Sequence, residues 1–257
     1  MTTMQPGARP RGVVGSEGSR VRVVLGATGN DFVLVCTASD GDREWQVVDW
    51  GGRDIPDKVC SQLNNCAAKQ RLVRRVDFGG VDDWSWYVSG ARADGSGAHS
   101  WWAVDESGHD SLADRLHPPF SVDLEVAIGS RHGAESWAVV HHHRSGSNFG
   151  SGYFGEVCNV DEALERRFSR LRHNRSAVHC VRLFSEGGYF ISDDEGTEWR
   201  DVGPYCSTEL QRGSRRGCVD GPVEEVAVAE DGAWVVARAH SFACSDGVAN
   251  ALHSGLT

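Results

Sequence analysis

Val223-Glu224-Glu225-Val226-Ala227-Val228 leads through Asp231-Gly232 into Trp234-Val235-Val236. Two β-rich runs joined across a glycine turn predict a β-hairpin. The same arrangement stands earlier as Val178-His179-Cys180-Val181-Arg182-Leu183 with Gly188-Tyr189-Phe190-Ile191, and as Val73-Arg74-Arg75-Val76-Asp77-Phe78 with Trp86-Tyr87-Val88. Two looser copies pair Val21 to Leu25 with Phe32 to Val35, and Val122 to Ile128 with Trp137 to Val140. The starts at residues 21, 73, 122, 178 and 223 fall about 50 residues apart, which makes five repeats of one supersecondary element.

Behind each hairpin comes a third strand candidate and then a short helical pattern. The third strands are read at Glu44 to Val48, Ser100 to Val104, Gly152 to Gly155, Thr197 to Arg200 and Ser241 to Cys244. The helices are read at Asp57 to Leu63, Ser111 to Leu116, Glu162 to Leu171, Ser207 to Arg212 and Val248 to His253. In the third of these Leu164, Phe168 and Leu171 share one helical face. Each repeat is thus β-β-β-α, the size of a propeller blade. The expected fold is mainly β: a five-unit β-propeller-like repeat domain over residues 21–257, with repeats at 21–72, 73–121, 122–177, 178–222 and 223–257. Residues 1–20, rich in Gly and Pro, are expected to be a flexible tail. A closed ring removes most strand edges; the alternatives are an open β/α stack or a half-ring completed by dimerisation.

Ser192-Asp193-Asp194-Glu195-Gly196-Thr197-Glu198-Trp199 resembles the Asp-box of sialidase-type propellers, Ser-x-Asp-x-Gly-x-Thr-Trp, at Ser192, Asp194, Gly196 and Trp199. Threonine falls one place early, and no other repeat keeps the motif. In that family the box stabilises a turn away from the active site, so the resemblance implies blade architecture and not catalysis. It also implies that Asp194 accepts amide hydrogen bonds within its own turn. More broadly the repeats resemble the Val-x-x-Val-x-Phe and Gly-x-Trp-Val-Val units of microbial β-propeller-type repeat proteins, a likeness that carries no activity.

With 36 acidic and 26 basic residues the formal charge is −10, which repels polyphosphates and argues against nucleic-acid and anionic-membrane partners. No apolar run is long enough to cross a bilayer, and Met1 to Arg20 lacks a signal-peptide core, so a cytoplasmic protein is expected. The eight cysteines show no zinc spacing and are expected to be reduced. His141 and His143 alternate onto one strand face, but two imidazoles without a third ligand make no metal site, and no metal or other cofactor is expected.

Acids cluster at Asp82-Asp83, Asp193-Asp194-Glu195, Glu224-Glu225 and Glu230-Asp231. Paired carboxylates can run glycoside hydrolysis, whereas acids in turns supply hydrogen bonds. Nucleophile-elbow, P-loop and dinucleotide motifs are missing. Phe32, Trp86, Trp137, Tyr189 and Trp234 hold one repeat position and are expected in the core. Trp45, Trp101, Trp102 and Trp199 lie on third strands, where a ring can pack or can stack on a ligand. These four are the candidate ligand-binding residues of a non-catalytic recognition module, monomeric or homodimeric, that binds a glycan or protein through loops at one end of the ring. The alternative is a glycosidase-type hydrolase.

Overall fold

Alternating apolar residues in the repeats fold as expected into short strands. The computed structural model describes residues 20–40, 43–53, 55–79, 85–104, 112–116, 124–141, 154–213, 222–238 and 241–248. Among these, fifteen strands make five three-stranded sheets, each ordered as its strands follow in the chain. The sheets are β1 (Arg20–Leu25), β2 (Phe32–Asp40) and β3 (Arg43–Gly51); β4 (Leu72–Gly79), β5 (Ser85–Ala91) and β6 (His99–Ala103); β7 (Leu124–Arg131), β8 (Ala134–His141) and β9 (Phe154–Cys158); β10 (Val178–Leu183), β11 (Tyr189–Asp193) and β12 (Gly196–Arg200); and β13 (Val223–Val228), β14 (Trp234–Arg238) and β15 (Phe242–Cys244). Helices α1 (Asp57–Ala68), α2 (Leu112–Leu116), α3 (Glu162–Asn174) and α4 (Pro204–Gly213) follow the first four sheets. Of the helix expected at Val248 to His253, all but Val248 lies outside the described residues, as do the tail before Arg20, Asp82-Asp83 and His143.

The repeats agree in detail. Leu25, Ile128, Leu183 and Val228 pair with Phe32, Trp137, Tyr189 and Trp234, so four first strands align at this position. Strands β10 and β13 both carry a bulge at the second residue, between Val178 and Cys180 and between Val223 and Glu225. Between β7 and β8, His132 (φ 54°) and Gly133 (φ 71°) form a two-residue turn with both φ positive, the geometry that matches strand twist. Phe32, Trp86, Trp137 and Tyr189 are buried as expected. Trp234 is a correction: its ring is half-buried, and Ala233 and Val235 on either side take the buried places.

The chain clusters into two compact units, one of residues 1–76, 88–99 and 203–257, the other of 77–87 and 100–202. In the first, Val21, Val23, Leu25, Phe32 and Leu34 of the first sheet share a core with Ala227, Val235 and Ala237 of the last and with Val248 just beyond it. The Asp231 carboxylate accepts from Gly29 N at 3.0 Å, and Asp231 N donates to Ala27 O at 3.2 Å, so the β13–β14 loop is laced to the β1–β2 loop. Gly29 is required there: a Cβ would stand 2.5 Å from that of Ala233. In the second unit Ala127, Val140, Leu164, Phe168, Leu171, Val181 and Ile191 join the third and fourth sheets through α3. Asp161 caps α3 by accepting from Ala163 N at 2.8 Å, and Arg175 ends it in the left-handed region at φ 57°.

Candidate functional site

Third strands stand at one margin of every sheet order, and their burial falls accordingly. Strand β5 is buried at every residue, whereas β6 and β12 have no buried residue. Alternation decides what their tryptophans meet. On β3, Gln46 is buried and spans to β4, donating to Val73 O at 2.8 Å and accepting from Val73 N at 2.7 Å. Trp45 therefore faces the opposite way, with Val47, and is 40% exposed. On β6, Trp102 packs on the core of Tyr87, Leu112, Leu116, Val126 and Trp137. Its neighbour Trp101 faces the other side of the strand and is half-buried, as is Trp199 on β12. The four predicted ligand-binding residues thus lie on three separate sheets, and Trp102 packs on a core.

The acidic octet does structural work, and its roles differ from the expectation. Asp193, not Asp194, binds its own turn, accepting from Glu195 N at 2.8 Å. It also holds the buried Arg167 of α3 in a bidentate pair, Nε to Oδ2 at 2.8 Å and Nη2 to Oδ1 at 2.6 Å. Asp194 reaches out of the turn to accept from Ala177 N at 2.7 Å and stands 3.0 Å from His179 Nε2. Glu195 accepts from Arg170 at 2.8 Å and Asn174 at 2.9 Å, near the end of α3. Three successive acids therefore clamp the middle of α3, the start of β10 and the end of α3. Glu198 adds to the clamp, taking Arg167 Nη1 at 3.2 Å and the Tyr189 hydroxyl at 2.6 Å. Burial and that acceptor push the Tyr189 hydroxyl pKa up.

Two carboxyls at the ends of α3, Glu195 of the octet and the cap Asp161, make stability pH-dependent. Hydrogen bonds from Asn174 and Arg170 outweigh desolvation and hold the Glu195 carboxyl below its usual range. At Asp161, desolvation is overcome by Ala163 N and the Arg200 guanidinium, with the same result. A depressed native pKa means that the unfolded chain takes up the proton first, so the stabilisation is complete above the unfolded values of about 3.9 for Asp and 4.3 for Glu and is lost as pH falls through the native ones. The urea midpoint is expected to fall steeply below about pH 4, and less steeply in an Asp161→Asn/Glu195→Gln variant. Parallel curves for variant and parent would sink this account.

Sequence reading did not anticipate that charges on first strands, at the third and fifth places of Val-x-x-Val-x-Phe, are buried, Glu225 of the acidic pair Glu224-Glu225 among them. In the second unit Arg182 Nη1 lies 3.5 Å from Glu125 Oε1 and 3.7 Å from Asp77 Oδ2, with all three side chains buried. In the first unit Arg75 and Glu225 are buried on β4 and β13. The signal was present: each charge stands next to a valine within a β-rich run. Buried ion pairs of this kind specify a packing arrangement more than they add net stability.

The seven described cysteines form no disulfide. Burial pushes the Cys36 and Cys206 thiols up to about 12, and Cys66 to about 11, so these remain protonated at neutral pH. Among the described residues no three His, Cys, Asp or Glu side chains gather as a metal site. No described helix is long and apolar enough to cross a membrane. Searches against protein-family models, curated proteins and solved structures find no match to this chain.

Proposed function

We propose that the five sheets are the blades of a closed β-propeller and that the ring is a non-catalytic module recognising a glycan or protein partner. Closure is supported by the core and loop hydrogen bonds shared by the first and last sheets. The recognition reading rests on one contrast. The acids of the octet and Asp231 are engaged by guanidinium, amide and hydroxyl donors of the fold, whereas Trp45, Trp101 and Trp199 keep exposed ring surface on marginal strands. Aromatic rings with one face in the fold and one in water are the usual anchors for sugars and for protein hot spots.

A glycan array and a protein-interaction capture with the full chain test this, followed by Trp45→Ala, Trp101→Ala, Trp102→Ala and Trp199→Ala against whatever binds. At least one of Trp45, Trp101 and Trp199 is expected to weaken binding by about 1–3 kcal/mol with little change in melting. Trp102→Ala, which takes a ring from a core, is expected to lower the melting temperature instead. Binding untouched by all four would overturn the assignment of these rings as ligand anchors. Turnover of a bound glycoside, abolished by an acidic-pair variant, would overturn the non-catalytic reading.

A further inference from the structure

Strand β3 (Arg43–Gly51) has nine residues, whereas β6, β9 and β12 have five each and β15 three. It closes the order of its sheet, and among the described strands β2 is its one ladder neighbour. A marginal strand keeps a row of backbone donors and acceptors on its free edge, and another strand can add there. Two features, both within the first compact unit, prepare this edge. Gln46 donates through Nε2 to Thr37 Oγ1 and to Val73 O, each at 2.8 Å, and accepts from Val73 N at 2.7 Å, which pins the middle of β3 between β2 and β4. Trp50 N donates to Asp49 Oδ1 at 2.9 Å, which engages that amide and ends at Asp49 the run open to pairing.

The run Arg43–Asp49 is complementary to itself read backwards. Centred on Gln46, an antiparallel pair of two copies sets Trp45 opposite Val47, Arg43 opposite Asp49 and Glu44 opposite Val48, each of them twice by symmetry. Trp45 is 40% exposed and Val47 half-buried on the same face. An aromatic opposite a β-branched residue is a favourable cross-strand pair, and so are unlike charges. Arg43 pairs with Asp40 inside the sheet, and Asp49 of the second copy takes the place on its other side. Glu44 is already matched by Arg74 at 2.9 Å, so standing opposite Val48 leaves it with its counter-charge. On β9 and β12 full overlap of two copies sets Glu156 or Glu198 opposite itself, where like charges repel.

We infer that two copies of this chain join edge to edge through β3, antiparallel about Gln46, so that their first sheets become one continuous sheet. The interface stands apart from the recognition reading: it covers Trp45 and leaves Trp101 and Trp199 to a ligand.

Sedimentation velocity of the full chain over roughly 1–200 µM checks this. The sedimenting species is expected to pass from the mass of one chain to that of two. Arg43→Asp sets like charges opposite Asp49, and Asp49→Arg does the same opposite Arg43; each is expected to weaken the dimer roughly tenfold or more. An equimolar mixture of these two variants restores unlike pairs at both contacts and is expected to dimerise within about threefold of the parent. Trp45→Lys is expected to stay monomeric over the whole range, and Arg212→Gln, an exposed change on α4, to dimerise as the parent does. Circular dichroism checks that every variant is folded. A parent that stays monomeric overturns the inference. So does a dimer that persists in both Arg43→Asp and Asp49→Arg, which uses another surface, or one that both lose and their mixture fails to regain, which uses another register. A monomeric parent that still binds a glycan or protein leaves the recognition reading in place while this inference falls.

Discussion

Arg167→Met is expected to destabilise the fold by about 3–5 kcal/mol, the cost of leaving buried carboxylates without their guanidinium. The side chain of Asp193 is wholly buried, and Arg167 supplies it with two hydrogen bonds while also serving Glu198 and Gly196 O. Methionine fills much of the volume of the arginine stem, so the loss measured by urea unfolding is electrostatic and not a cavity. The double variant Arg167→Met/Asp193→Leu separates the two causes. With no buried charge left opposite α3, it is expected to recover a substantial part of the loss. A double variant as unstable as the sum of its single changes would mean that packing, not charge pairing, holds α3 to the β11–β12 hairpin.

Trp137→Ala is expected to cost a similar ~3–5 kcal/mol for a different reason. Its ring is 4% exposed and lies among Tyr87, Leu112, Leu116, Val126 and Val139, so truncation opens a cavity in the second unit's core. Trp234→Ala, at the equivalent repeat position, is expected to cost clearly less because water already reaches that ring. Equal losses at the two positions would show that the repeats share their packing despite the difference in exposure.

The hairpins were legible because period-two alternation and glycine turns are local signals, and five copies reinforce one another. Helix α3 was legible for the same kind of reason, since Leu164, Phe168 and Leu171 repeat at helical spacing. What escaped the sequence depends on contacts across long separations. Asp193 and Asp194 are neighbours in an acidic turn, and only the position of α3 decides that the first binds Arg167 while the second turns to Ala177. Trp234 fits its repeat slot, yet Ala233 and Val235 occupy the interior. The third-strand tryptophans were locatable from the repeat, but which of them a core holds depended on α2 and β8, elements with no sequence mark pointing to Trp102.

The core shared by the first and last sheets sets an order of events at the ribosome. Strands β1 to β3 emerge first, but Ala227, Val235 and Val248, which cover them, are made last. At ~5–20 residues per second, the interval between the end of β3 and the start of β13 is roughly 10–30 s. Throughout that time Val21, Val23 and Leu34 are without their final partners, while every residue of 77–202 has already been synthesised before β13 appears. A nascent chain stalled before Val223 is therefore expected to be a substrate for holding chaperones and proteases at its N-terminal sheet, and release of the last strands is the step that ends this exposure.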